Sequence, residues 1–300
     1  MLCSINRIPV YRLSPRFVLI GRHHRPKSTY AKAQLTSDSS QPATDDAAPT
    51  TSARWFSELQ ARLQHLRSTA NNLVVAKADR LLQRTDTQWI QLLAGSQGFL
   101  TEPKWRGLDN HQLFWGDMVR SRPARAGTPV PLLMEFPRSL LAGHINNVMY
   151  NRYFETARVQ FFRCHGQDVT AEEQKEWEDL PTPRGLGLIL KTITTEFKFP
   201  MKFPDRIHVL YKMTEPPTYQ TTSLHMEAWI LSDKHRRIAA RCTDETAIND
   251  YGAGKKSVLK PFMVENLQQT FEMQEEARKR FQEEAGRVIG AVEELEAQVR

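Results

Sequence analysis

Between residues 187 and 250 the chain alternates apolar and polar side chains with a period of two. Nothing else in it limits the fold so sharply. Ile189, Ile193, Phe197 and Phe199 alternate with threonines, Glu196 and Lys198; Ile207, Val209, Tyr211 and Met213 alternate with His208 and Lys212. Leu224, Met226, Ala228 and Ile230 share one face of the next run, and a last strand reads from about Arg237 to Ile248. Period two places successive side chains on opposite faces of a strand. The separators (Pro200, Pro204-Asp205, Glu215-Pro216-Pro217, Ser232-Asp233-Lys234) are turn chemistry. Four successive strands with short links predict an antiparallel meander, which buries one face only where another element covers it.

The cover is expected just upstream. Over residues 146–165, Tyr150, Phe154, Ala157, Phe161 and Cys164 form one helical stripe, with Asn151, Arg152, Glu155, Arg158 and Arg163 off it. Asn146 or Asn147 can cap its start and Gly166 can end it. A helix followed by a sheet that curls around it is an α+β arrangement. Further helices are expected on either side. Trp55, Leu59, Leu63, Leu66, Ala70 and Leu73 recur at three- and four-residue spacing, and a second piece carries Trp89, Ile90, Leu92 and Leu93. From Val264 to Arg300 apolar residues keep helical spacing between dense charges. That stretch is either a helix docked on the domain or a coiled-coil partner site.

Charge bears on the partners. The net charge of +7 suggests nucleic acid until its distribution is read. Seven of the 41 basic residues precede Asp38, where no acidic residue occurs; the remaining 34 balance 34 acidic ones. No nucleic-acid partner is therefore expected. A basic, acid-free, serine-containing leader fits a mitochondrial targeting segment over residues 1–37, leading to the matrix. Residues 38–52, rich in Ser, Thr, Pro, Asp and Ala, read as a linker. No apolar run approaches the ~18 residues of a membrane span. Cys3, Cys164 and Cys242 make no CxxC pair and no zinc-like spacing with histidine, so neither a disulfide nor a metal site is inferred.

One stretch carries chemistry. Gly143-His144-Ile145-Asn146-Asn147-Val148-Met149-Tyr150 is followed by Phe154-Glu155-Thr156-Ala157-Arg158. It resembles the 4-hydroxybenzoyl-CoA thioesterase branch of the hotdog superfamily. That pattern runs Asp-x-x-Gly-His-(Val/Ile)-Asn-Asn-x-x-Tyr, then Phe-Glu-x-x-Arg. The Trp115-Gly116-Asp117-Met118 segment resembles the strand that leads into it in fungal relatives. The resemblance implies a hotdog domain over residues 107–250, flanked by a helical extension (53–106) and a C-terminal helix (251–300). It further implies an acyl-CoA substrate, no metal or redox cofactor, and a homodimer or larger assembly formed by paired sheets with the site between subunits.

In such a site, backbone N–H groups at the helix start polarise the thioester carbonyl, and a carboxylate just ahead acts as nucleophile or as base toward water. Gly143 would let the backbone approach the thioester. His144, Asn146 and Asn147 are placed to orient substrate or fix the loop, and Tyr150 reads as a packed aromatic with one wet end. Glu155 is either a second carboxylate or half of a surface ion pair with Arg158. The pattern then departs: its Asp position is Leu140, and 24 residues (119–142) separate Met118 from Gly143. Asp117, far from Gly143 in sequence, is the candidate carboxylate, because the ends of a loop can lie close in space. The segment is either a loop inserted at the site's mouth or translated intron sequence. Two functions follow: mitochondrial acyl-CoA hydrolysis, or a silent hotdog module serving as a binding or structural subunit of an assembly.

Overall fold

The computed structural model describes residues 54–118, 143–167 and 169–299. The expected targeting segment (1–37) and linker (38–52), Cys3 and the 119–142 segment lie outside the described residues.

Five main strands form one antiparallel sheet: β1 (Arg106–Gln112), β2 (Leu186–Phe197), β3 (Arg206–Met213), β4 (Ser223–Ser232) and β5 (Arg237–Asp250). A two-residue strand, β6 (Lys255–Lys256), adds to β5. The spatial order is β1-β3-β4-β5-β2. Three of the expected neighbours, β3, β4 and β5, do form a meander, with Met213 opposite Met226 and Ser232 opposite Arg237. β2 does not join it next to β3. It pairs instead with β5, with Leu186 opposite Asp250 and Phe197 opposite Ala240. Alternation fixes which face a side chain takes, not which strand lies beside it, so the expected four-strand meander is corrected here. β1 is a strand that no alternation announced. The Trp115–Asp117 stretch, expected as a strand, is a single 3-10 turn, and only Met118 bridges, to Ile145.

Helix α4 (Asn147–Arg163) lies across one face of this sheet. Its stripe of Tyr150, Phe154, Ala157, Phe161 and then Cys164 is buried against Ile207, Val209, Tyr211, Leu224, Met226, Ala228 and Ile230. Gly107 permits the close approach to β1, because a Cβ there would stand 2.6 Å from both Ala157 Cα and its carbonyl oxygen. Arg158 is not paired with Glu155 as the spacing suggested. It turns inward and donates to Asp244 Oδ2 at 3.2 Å, with Tyr211 donating to the same oxygen at 3.1 Å. A cation near the middle of a core-facing helix takes the buried partner that β5 offers over solvent-screened contact with a neighbour on its own helix.

The opposite face of the sheet is covered too. α1 (Trp55–Thr69), α2 (Asn72–Thr87) and α3 (Trp89–Leu93) pack a second core with Leu210, Trp229, Leu231 and Ile238. This accounts for the near-continuous burial of β3 and β4. The apolar face read from Trp55 to Leu73 ends early: Asn71 caps a new helix, and Leu73 is 67% exposed. After α5 (Ala171–Asp179), α6 (Pro261–Ala297) runs 37 residues, about 55 Å at 1.5 Å per residue. Its first half contributes Met263, Val264 and Leu267 to the α4 core; its second half contributes Ala285, Val288, Val292 and Leu295 to the other. The Arg62 guanidinium grips Glu296 with two 2.8 Å bonds. α6 is thus docked on its own chain, which decides against a coiled-coil seam on that face. No helix among the described residues is long and apolar enough to cross a membrane.

Candidate active site at the start of helix α4

Asn146 caps α4, its side chain accepting from Val148 N at 3.1 Å. Its own N–H donates to the backbone oxygen of Asp117 at 2.9 Å. Together with the Met118–Ile145 bridge, this bond places Asp117 at the helix start although 24 residues intervene in sequence. The other wall is the link after β2, where Met201 O accepts from Ile145 N at 2.9 Å. The Asn147 N–H has no acceptor among the described residues, as expected for the first turn of a helix.

The Asp117 carboxylate is held from behind. Tyr153, buried on α4, donates its hydroxyl to Oδ2 at 2.9 Å, and Phe114 N lies 3.4 Å from the same oxygen. Oδ1 has no partner among the described residues. Burial, reinforced by the bond to Asp117, pushes the Tyr153 hydroxyl well above its ordinary range, so it stays a donor at neutral pH. His111 packs edge-on against the Tyr153 ring at 5.5 Å. Sequence reasoning missed Tyr153. Its signal is a tyrosine three residues after Tyr150, beside the core stripe rather than in it.

The remaining expected residues divide. His144, Asn146 and Asn147 are exposed at the same helix start, with His144 Nδ1 2.9 Å from Ile145 O. Gly143 is half-buried beside them. Tyr150 has no wet end. It is buried, and its hydroxyl accepts from Met201 N at 3.0 Å and donates toward Phe199 O at 3.4 Å. These bonds tie α4 to the wall of the site. Glu155 lies more than two turns along α4, on an exposed surface with Arg152, Val159 and Arg163, and is not brought to Asp117. Apolar surface rims the helix start: Val148, Phe114 and Trp115 are each at least 46% exposed, and Trp115 packs edge-on to Phe203 at 6.2 Å. Cys164 and Cys242 are buried free thiols, each pushed up to about 12 chiefly by burial, and take no part. Among the described residues no cluster of His, Cys, Asp or Glu could hold a metal.

A helix capped against a carboxylate-bearing turn and laid on a curled antiparallel sheet is the hotdog arrangement. Residues 114–286 match the family model described as the thioesterase-like superfamily. The chain belongs to that superfamily. The match takes in Asp117, the helix start, the meander and two-thirds of α6. Known folds resemble this thioesterase-like chain only at low scores. They include a thioesterase of Thermus thermophilus complexed with coenzyme A and zinc (16% identity, 52% of this chain and 92% of that one, TM-score 0.34). A DHNA-CoA thioesterase of Staphylococcus aureus shares 16% identity over 44% and 83%, with TM-score 0.35. A hypothetical protein of the same organism, solved in complex with CoA, shares 13% over 43% and 73%, with TM-score 0.35. No curated protein matches the sequence.

Proposed function

We propose that the protein hydrolyses acyl-CoA thioesters in the mitochondrial matrix, as a homodimeric member of the 4-hydroxybenzoyl-CoA thioesterase-like branch of the kind found in fungi. The observation that carries this reading is the tethering of Asp117 to the start of α4. One carboxylate oxygen is anchored by Tyr153, the other is uncommitted, and the backbone is bonded to the cap residue. It supplies a carboxylate at the place where the family pattern has lost one, which supports hydrolysis over the silent-module reading.

The chemistry follows from the groups present. The Asn147 N–H polarises the thioester carbonyl, and His144 orients the substrate. Water attacks the carbonyl carbon while its proton passes to Asp117 Oδ1; collapse of the tetrahedral adduct breaks the C–S bond, and the departing thiolate takes that proton. The Tyr153 bond fixes the carboxylate without donating a proton to the reaction. For the dimer, the supporting feature is β2. It is an edge strand of 12 residues that exposes Ile189, Leu190 and Phe197, a surface suited to pairing with a second copy.

The test is a panel of acyl-CoA hydrolysis assays on protein lacking residues 1–37. Asp117→Asn should lower kcat by at least about a hundredfold, the usual reach of a lost general base. His144→Ala should cost more than Glu155→Ala. Full turnover in Asp117→Asn would overturn the assignment. The location is tested separately: a fluorescent fusion of residues 1–40 should enter mitochondria, and retention in the cytosol would refute it.

A further inference from the structure

A second concave site lies where the end of β2, the start of β5 and the N-terminus of α1 meet. Arg54, Ser57, Lys198, Phe199, Arg237 and Arg241 line a cleft of about 390 Å³. With Ile238, seven residues line it, and four of the seven are cationic. The nearby carboxylate, Glu196, pairs with Lys198 at 2.5 Å. The two β5 arginines are held differently. The Arg237 guanidinium stacks 3.9 Å from the Phe199 ring centre and that of Arg241 lies 4.8 Å from Trp229. Neither is hydrogen-bonded to a carboxylate among the described residues. Arg241 Nε is buried without a hydrogen-bond partner among the described residues, a costly state for a donor on a charged group. Rings that orient two guanidinium planes while leaving their N–H edges unbound prepare them for a planar or tetrahedral oxyanion. Ser57, in the first turn of the 15-residue helix α1, lines the same space.

The backbone links this cleft to the candidate active site. Residues 198–201 form its floor and then the site's wall: Lys198 N and Phe199 N donate to Ala239 O at the cleft, and Met201 O accepts from Ile145 N at the start of α4. Lys198 and Met201 are three residues apart, a reach of at most about 10 Å.

We propose that this cleft binds a phosphate group of an adenosine phosphate, with Arg237 and Arg241 as its principal ligands and α1 closing it from outside the family-matched stretch. Two sources share that chemistry: the nucleotide end of a coenzyme A thioester, which rests on the function proposed above, and a free nucleotide, which does not.

Calorimetric titration of the full chain with adenosine 3′,5′-bisphosphate, adenosine and coenzyme A separates these cases. The bisphosphate should bind at least tenfold more tightly than adenosine, and its affinity should fall as salt is raised. Arg241→Gln should weaken it tenfold or more. Because Arg241 also packs on Trp229, the exposed pair Lys198→Gln with Arg237→Gln serves as the second variant, with the same loss expected at an unchanged melting temperature. Coenzyme A that competes with the bisphosphate, and is weakened equally by these variants, identifies the thioester's nucleotide as the source. A bisphosphate that coenzyme A does not displace identifies a free nucleotide. Either result stands even in a preparation that hydrolyses no acyl-CoA, so failure of the hydrolase reading is distinguishable. Equal binding of adenosine and its bisphosphate, no binding of either, or full affinity in Lys198→Gln/Arg237→Gln overturns the proposal.

Discussion

His165, in the 3-10 turn that follows α4, has both ring nitrogens engaged. Nδ1 lies 2.9 Å from Phe161 O, and a carbonyl only accepts, so Nδ1 carries the proton. Nε2 then accepts from the Thr270 hydroxyl on α6 at 3.0 Å, and the ring stacks on Trp177 at 5.0 Å. Burial lowers its pKa from 6.5 to about 4. A depressed folded-state value means that the unfolded chain binds the extra proton first. The neutral imidazole's contribution is complete above pH 6.5 and is lost as pH falls toward 4, at a cost of about 3 kcal/mol. Thermal melts at pH 7 and pH 4.5 should show this loss, and His165→Gln should flatten it. Arg158 gives a second case. Arg158→Ala strands Asp244 in the core and should cost about 3–5 kcal/mol, whereas the double change Arg158→Met/Asp244→Leu should recover most of it; urea unfolding measures both. At this scale the sequence was readable where composition and spacing decide burial, as for the α4 stripe and the two thiols. It was silent where a partner is remote. Nothing in Phe-Glu-x-x-Arg says that the arginine reaches β5, and nothing near Tyr153 says that its hydroxyl meets a carboxylate 36 residues earlier.

At the scale of elements, the ends of the 119–142 segment are the informative part. Met118 and Ile145 are bridged antiparallel, and Asp117 O accepts from Asn146 N, so a short link can join them. Replacing the 24 residues by three should preserve the fold and, through the smaller loop-closure entropy, stabilise it by up to about 2 kcal/mol. A melting temperature no lower than that of the full chain checks this, and collapse of the fold would show the segment to be integral. Transcript sequence across the codons for Met118 and Gly143 decides separately whether it is translated intron. Four strands and three helical regions were legible because their apolar residues repeat at 2.0 or 3.6. β1 was not, since Arg-Gly-Leu-Asp-Asn-His-Gln carries a single large apolar residue and uses Gly107 for packing. The position of β2 was illegible for a different reason: a strand's period is the same beside either neighbour.

At the scale of the whole molecule, the sheet separates two cores and α6 belongs to both. Ending the chain at residue 281 removes Val288, Val292 and Leu295, each worth about 2 kcal/mol of burial, from the core that also holds Leu63, Trp229 and Ile238. That loss rivals the entire stability of an ordinary domain. The truncated chain should yield its N-terminal helices to limited proteolysis while the full chain resists. The same helix also bears on the timetable of folding. β1 finds its partner about a hundred residues later, β2 waits for β5, and both cores wait for α6 to be synthesised. A nascent chain emerging at about 5–20 residues per second can assemble little that lasts until α6 has emerged. Until then it is an open polypeptide, the form in which a protein can be threaded through a narrow pore.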